Sequence, residues 1–452
     1  MRRFAVLLLA GVPTLVAAQG FGVYEHNTCA MGRAGVTAAG PCADGSGIYF
    51  NPAGLGGLAG TRFSAGVTLI GAQGGFTDDF LAQRTDLDNP VIPVPTAYST
   101  HAVSPKLTVG IGAYAPYGLE TRWPTTDFAG RFIGYNTKIR SIYIQPTIAY
   151  ELSPRLKMGI GVAYITSHLE LHQRADFSTQ VVPSALVPPG TRFSALGIPT
   201  GTDFADAVLD ASGTGFAVNF GAILKLSDHL TIGGHWLTRR SIDYDGTADF
   251  SPVATGLTLA AGNPLGLPAG TPLDALALPV FGAGAPLADG PVKTSITMPP
   301  QGTIGFAYKM SDDWTLMADY QLVVWGWFNS VVIDFGNATT PDLTLTPHNQ
   351  DTHGFRFGTE YQYSPKLILR GGFLHHTGAS PNSFVTPLLP EGPRNEFTIG
   401  AGVTLTPKLH GDFAYQYIKQ DDRRGTVNLA LGNTGLYQFS AHLLGVGLAY
   451  TF

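Results

Sequence analysis

The chain is predicted to be all-β: a 14-stranded antiparallel transmembrane β-barrel with an amino-terminal plug in its lumen. Three observations lead there. A short polar turn recurs six times between runs of alternating polarity. An exported chain carries few charges and no apolar run long enough for a spanning helix. A Gly/Ala-rich segment without period 3.6 or 2 precedes the first strand-like run.

The chain begins Met1-Arg2-Arg3, continues with an apolar stretch from Phe4 to Ala18, and places Val16-Ala17-Ala18 before Gln19. A basic start, an apolar centre and small residues at the end make a secretory leader, so residues 1–18 are expected to be cleaved. Only 13% of the 452 residues are charged, where a water-soluble domain carries about 25%. An exported chain of that kind is either a soluble secreted protein or a bacterial outer-membrane barrel. The second requires strands that close on themselves, because lipid satisfies no open sheet edge. The net charge is −5 and no basic cluster occurs, which argues against nucleic acid as a partner.

Residues 19–60 form the candidate plug. Its two cysteines, Cys29 and Cys42, are free to form a disulfide in an oxidising compartment, worth about 3 kcal/mol for a loop of this length; two buried thiols are the alternative. His26 with the two cysteines is too few ligands for a metal site. Asn51-Pro52-Ala53 near its end reads first as a turn, since proline fixes φ and asparagine tolerates turn geometry.

Residues 61–452 are expected to be the barrel. Val103-Ser104-Pro105-Lys106-Leu107 recurs in form at 152–156, 226–230, 363–367 and 405–409, and more loosely at 310–314. Each marks a tight hairpin. Six hairpins supply twelve strands, Arg62 to Phe76 one more, and Phe439 to Phe452 the last. Phe397, Ile399, Val403 and Leu405 alternate with small or hydroxylic residues, as do Met158, Ile160, Val162 and Tyr164. One face suits lipid and the other an interior. The connections opposite the tight turns are long, the longest being 172–213 and 250–291.

The chain ends in an alternating strand closed by Phe452. That ending resembles the carboxy-terminal signal of outer-membrane barrels, which makes the barrel-assembly machinery, outer-membrane lipid and lipopolysaccharide the expected partners.

The segment from Gly20-Phe21-Gly22 to Asn51-Pro52-Ala53-Gly54-Leu55, with Met31-Gly32-Arg33-Ala34 inside it, resembles the plug of the FadL-type outer-membrane long-chain fatty-acid and hydrocarbon transporters. Ala115-Pro116-Tyr117-Gly118-Leu119, Gly130-Arg131-Phe132 and Gln145-Pro146-Thr147 add to the likeness, which spans the mature chain. The resemblance implies a fourteen-stranded barrel with a hatch, a ligand groove among the extracellular loops, an internal pocket and lateral exit through the wall. It implies a gating role for Asn51, Pro52 and Ala53. Cys29 and Cys42 depart from that pattern.

A fourteen-strand wall has a backbone diameter of about 28 Å, so an unplugged barrel would leak. The plug argues against an aqueous porin. Ser251 to Leu287 contains Asp274 as its one charged residue, and Ser178 to Thr191 contains none. Apolar loops facing water mark binding or membrane contact; the alternative is loops packed on themselves. Val181, Val182 and Leu186 in the first, with Leu257, Leu259, Leu265 and Leu267 in the second, are therefore the candidate capture groove for a hydrophobic small molecule. A fatty-acid carboxylate would need a cation or hydrogen bonds. The candidates are Arg131, Arg140 and Arg239 at loop ends and, inward by alternation, Arg356 and Arg370, the latter two beside the inward acids Asp319, Glu360 and Asp412.

Catalysis has no support. His168 and His172 are about 13 Å apart on a strand, no Gly-x-Ser-x-Gly elbow occurs, and no cofactor is implied. Gly110-Ile111-Gly112 and Gly400-Ala401-Gly402 read as the small inner face of strands. A surface barrel that binds host or matrix is the remaining rival.

Overall fold

Alternating runs leave each strand with an apolar and a small or polar face, and fourteen such strands pair in sequence into one closed sheet. The structure, a computed structural model, describes residues 22–23, 26–126, 128–182, 187–328, 330–337, 342–426 and 434–452. The leader, residues 1–18, lies outside that description, as does Leu186.

The wall strands are β1 (Thr61–Asp78), β2 (Arg84–Asp86 and Ile92–Ala102), β3 (Leu107–Arg122), β4 (Asn136–Ser153), β5 (Leu156–Asp176), β6 (Asp203–Lys225) and β7 (Leu230–Leu237 and Arg240–Pro252). They continue as β8 (Gly290–Met298 and Gln301–Lys309), β9 (Trp314–Val323 and Val331–Phe335), β10 (Leu343–Leu345 and Thr352–Ser364), β11 (Leu367–His376), β12 (Arg394–Thr406), β13 (Leu409–Gln420 and Arg423–Gly425) and β14 (Gly435–Thr451). Where a strand has two pieces, each pairs with one or both of the same two neighbours, so the two count once in the wall. The wall closes where β1 pairs antiparallel with β14, from Arg62 opposite Thr451 to Asp78 opposite Gly435.

The six tight turns fall where the repeated motif predicts. Phe397, Ile399, Val403, Leu405, Met158, Ile160, Val162 and Tyr164 all face outward and are exposed. In lipid these side chains replace the charged surface that the composition lacks.

The long connections are shorter than expected, because strands run on beyond the apolar belt. β5 and β6 carry the ladder to Asp176 and Asp203, leaving 177–202 rather than 172–213 as the loop, and β7 and β8 leave 253–289 rather than 250–291. The extensions mix polar residues such as His172, Gln173, Arg174, Asp206 and Asp210 with apolar ones such as Phe204 and Leu209, which are buried, while pairing continues. The cross-strand ion pair Arg174–Asp206 (3.8 Å) lies within them, and Lys138–Glu170 (3.3 Å) just before them.

The plug lies inside the cylinder. From Asn27 it forms α1 (Thr28–Met31), α2 (Gly47–Phe50) and a 3-10 turn, Pro52–Leu55, before β1 leaves at Thr61. Almost all of it is buried, including Ala30, Met31, Ile48, Asn51, Ala53 and Leu55. No described helix is long and apolar enough to cross a membrane.

Glycines on the inner wall let the plug approach. A Cβ on Gly159 would stand 2.3 Å from the Pro52 carbonyl carbon, one on Gly233 2.1 Å from the Ala38 oxygen, and one on Gly358 2.7 Å from the Arg33 oxygen. Gly110 and Gly112 face Ile48 in the same manner, and Gly400 faces Gly32. The Gly-x-Gly pairs are thus part of a small inner face.

Candidate functional site

Asn51 illustrates how the plug is seated. Its Oδ1 accepts from the Ala53 amide (3.1 Å), which caps the 3-10 turn begun by Pro52, while Nδ2 donates to the Ala38 carbonyl (2.7 Å) and to the Ala222 carbonyl of β6 (3.2 Å). One side chain therefore ties the turn, the rest of the plug and the wall. Gln145 of β4 donates to the Ile48 carbonyl (2.6 Å), and Asn219 of β6 to the Tyr49 carbonyl (2.7 Å). These bonds satisfy the backbone of an irregular segment that water cannot reach.

On the opposite wall, Asp319 Oδ2 accepts from the amides of Thr37 (2.9 Å) and Ala38 (3.0 Å). Thr398 accepts from the Ala34 amide (3.1 Å). Cys29 and Cys42 are joined by a disulfide, with Cα atoms 6.3 Å apart. Arg33, inside the closed loop, reaches Cys42 Sγ (3.2 Å) and Glu360 (3.5 Å).

The arginines divide by environment. Arg370 pairs with Glu360 (2.8 Å) and Asp412 (2.5 Å), and Arg356 donates to Gln321 (2.5 Å). Both are buried in the barrel interior near the plug. Arg131 bonds Asp203 (2.8 Å) and the carbonyls of Phe128 and Gly201, with its guanidinium over the Phe132 ring. Arg239 faces outward over Trp327, 4.1 Å from the ring centroid. Arg140, paired with Glu120 (3.1 Å), lines a cavity of about 640 Å³ in the side of the wall.

That cavity occupies an interruption of the wall. β2 and β3 pair only from Ala97–Ala113 down to Ala102–Thr108. Above this, Ile92 to Thr96 pair with β1 alone, while β3 bulges between Tyr114 and Tyr117 and pairs with β4 alone. The sequence supplies the reason. Pro93 and Pro95 remove donors at alternate positions of β2, hence from one side of the strand, and Pro116 removes another at the bulge. The resulting cavity, about 640 Å³, is lined by Ile70, Val94, Leu119, Ile139, Leu389 and Leu443 among others. Gly22 bridges to Tyr117, and the Val23 amide donates to the Pro116 carbonyl (2.9 Å), so the amino-terminal end of the plug edges the opening.

Beside it lies a buried polar group that composition did not flag. Arg240 donates to Tyr143 Oη (2.8 Å) and to the Pro299 carbonyl (2.7 Å), and its guanidinium lies 4.5 Å from the Tyr117 ring centroid. It fills the break that Pro299-Pro300 makes in β8. His26 packs against Tyr49, Phe50 and Tyr114. Burial pushes its imidazole down to about 3, against a smaller opposing contribution from its own backbone.

The loop residues are placed differently from a simple open groove. Val182, Leu259 and Leu265 are buried with Phe177, Phe193, Phe204 and Leu273 in a core shared by the two loops. Leu257 packs partly against it, while Val181 and Leu267 are exposed. Asp274 accepts from the Thr255 hydroxyl (2.6 Å) and amide (3.0 Å). Burial pushes its carboxyl up, but these bonds and one from the Gly256 amide outweigh it and hold the group below the usual range.

A closed, lipid-faced cylinder of fourteen strands with its lumen stoppered and its wall interrupted defines a plugged outer-membrane barrel. Residues 9–452 match the family of outer membrane protein transport proteins described as OMPP1/FadL/TodX, and the chain belongs to that family. Outer membrane protein P1 of Haemophilus influenzae is 22% identical over 494 residues, covering all of both chains. The 47 kDa outer membrane protein of Pasteurella multocida is 22% identical over 464 residues, covering 100% of this chain and 99% of that one. Among solved structures, a Pseudomonas aeruginosa FadL homologue superposes with a TM-score of 0.79 at 17% identity, over 96% of this chain and 100% of that one. The Pseudomonas putida toluene transporter TodX gives 0.69 at 17% identity, over 97% and 99%. The protein is an outer-membrane β-barrel.

Proposed function

We propose that this protein carries hydrophobic compounds passively across the outer membrane and delivers them sideways through the opening between β2 and β3. The observation that carries the reading is the apolar cavity at that opening. A cavity of this size is in the range that holds a small apolar ligand, and its position gives the ligand a way out that bypasses the plugged lumen. Capture by the extracellular loops comes first, with Val181 and Leu267 as exposed apolar contacts. Release of Asn51, Pro52 and Ala53 from β5 and β6 is the gating step.

Long-chain fatty acids are the preferred cargo, because Arg140 places a cation at the cavity where a carboxylate head would sit. A second reading, neutral aromatic or aliphatic hydrocarbons, is favoured by the pairing of Arg140 with Glu120, which leaves the cation already compensated. The toluene transporters among the structural neighbours point the same way. Competitive binding of oleate, an alkane and toluene to the refolded protein separates the two. Oleate displaced by neither competitor supports the fatty acid; equal displacement by a neutral compound supports the hydrocarbon; no binding of any overturns both.

A further inference from the structure

Three neighbouring strands break at one register of the wall. The pieces of β7, β8 and β9 on the tight-turn side end at Leu237, Gln301 and Val323, which stand opposite one another. β7 resumes at Arg240, β8 at Met298 and β9 at Val331. Outward side chains change character across this break. On the tight-turn side Phe220, Ile304 and Phe306 are apolar and exposed. On the loop side the outward, exposed positions of β7 and β8 include Ser241, Asp243, Asp245, Lys293 and Ser295. The break therefore marks the border between hydrocarbon and headgroups. In a barrel with long extracellular loops, that border belongs to the outer leaflet.

Arg239 and Trp327 face outward there, each held by its neighbours. The Thr238 amide donates to the Val218 carbonyl of β6 (2.9 Å), and its hydroxyl accepts from the Val218 amide (2.9 Å). Arg240 is anchored inside the barrel by Tyr143 and the Pro299 carbonyl. The residue between the two is thereby presented to the exterior. Trp327 ends a 3-10 turn, Trp325–Trp327, whose first residue is fully buried. The Val324 amide before that turn donates to the Pro300 carbonyl (3.0 Å). The Arg239 guanidinium rests over the exposed Trp327 ring. Among the described residues no carboxylate pairs with Arg239, whereas Lys293, farther out on the same face, is paired with Asp245 (3.0 Å).

We propose that Arg239 and Trp327 form a binding site for a phosphate of lipid A, the phosphorylated glycolipid of the outer leaflet. A cation at the lipid border without a counter-charge in the protein takes one from its surroundings, because an uncompensated charge is costly there. The anions at that depth are the glycolipid phosphates. A guanidinium offers phosphate paired N–H donors, and stacking on the indole orients that fork while leaving its edge free. A transported carboxylate fits less well, since Arg239 does not line the side cavity.

The ordinary role of such a pair is a general membrane-interface anchor, and the test separates the two. The refolded full chain in neutral detergent is titrated with lipid A, or with its dephosphorylated form, and bound lipid is counted by native mass spectrometry. Arg239→Gln is expected to weaken lipid A binding about fivefold, the effect of one cation at an anionic surface, and to leave the dephosphorylated form unaffected. Lys293→Gln removes a cation that is already paired and is expected to change neither. Heat-modifiable gel mobility verifies a folded barrel for each variant. Unchanged lipid A binding in Arg239→Gln, equal weakening for the dephosphorylated form, or an equal loss in Lys293→Gln overturns the site. So does displacement of lipid A by inorganic phosphate at equal concentration. None of these outcomes bears on the transport reading.

Discussion

Asp319 Oδ2 lies 2.9 Å from the amide nitrogen of Thr37, and the same oxygen accepts from Ala38, so one wall carboxylate holds two consecutive plug amides. Hydrogen bonds to a charged group are worth about 1.5–3 kcal/mol each. Asp319→Ala is expected to leave the barrel folded and to loosen the plug, read as bursts of ion conductance in a planar bilayer where the unaltered protein is quiet. A silent variant would remove Asp319 from the account of plug seating.

The opening in the wall depends on missing donors. Pro93→Val with Pro95→Val restores two amide donors to β2, each worth about 1 kcal/mol when paired. If β2 and β3 then zip together, uptake of hydrophobic compounds falls while thermal stability holds or rises. Uptake at the original rate from a folded double variant would locate the exit elsewhere.

The loop pair offers a contrast between neighbours. Leu265 is buried in the shared loop core and Leu267 is exposed. Leu265→Asp places a charge in that core and is expected to make the loops sensitive to protease, at a cost of several kcal/mol. Leu267→Asp should leave protease resistance intact and weaken capture of a hydrophobic ligand. Unchanged capture in that second variant would take the loops out of the transport route.

The imidazole of His26 titrates near 3 in the folded protein and near 6.5 when exposed, because burial disfavours its charged form. Its folded value is depressed, so between those values the loosened plug binds a proton that the seated plug does not. Plug stability is therefore complete above pH 6.5 and declines as pH falls through that window, by at most about 1.4 kcal/mol per unit. Protection factors over residues 26–31, corrected for the intrinsic pH dependence of exchange, are expected to fall from pH 7 to 4, and His26→Phe should flatten the response. A pH-independent unaltered protein would mean that the ring is hydrated.

Much of the wall was legible in the sequence. Six turn motifs and outward apolar residues such as Phe397 and Ile399 report directly on pairing and on lipid. The interruption between β2 and β3 was not read. It is written in main-chain donors, as prolines two apart at 93 and 95, and side-chain polarity carries no trace of it. The loops misled in a similar way. Composition counts apolar residues without saying whether Leu259 and Leu265 face water or each other. Tyr117 and Arg240 were missed because alternation marks a residue as inward and says nothing about its partner there. The stretch read as a plug lies inside the barrel from Asn27 to Leu55, yet the bonds of Asn51 to Ala38 and Ala222 needed the fold to bring those carbonyls near.

A Cβ at Gly159, Gly221, Gly233, Gly358 or Gly372 would stand within 3 Å of a plug atom, closer than side chains pack. The cylinder is consequently a mould of one stopper, hollowed residue by residue to a single relief. A hatch transplanted from a relative would not seat in it, however similar its fold, unless the matching hollows travelled with it.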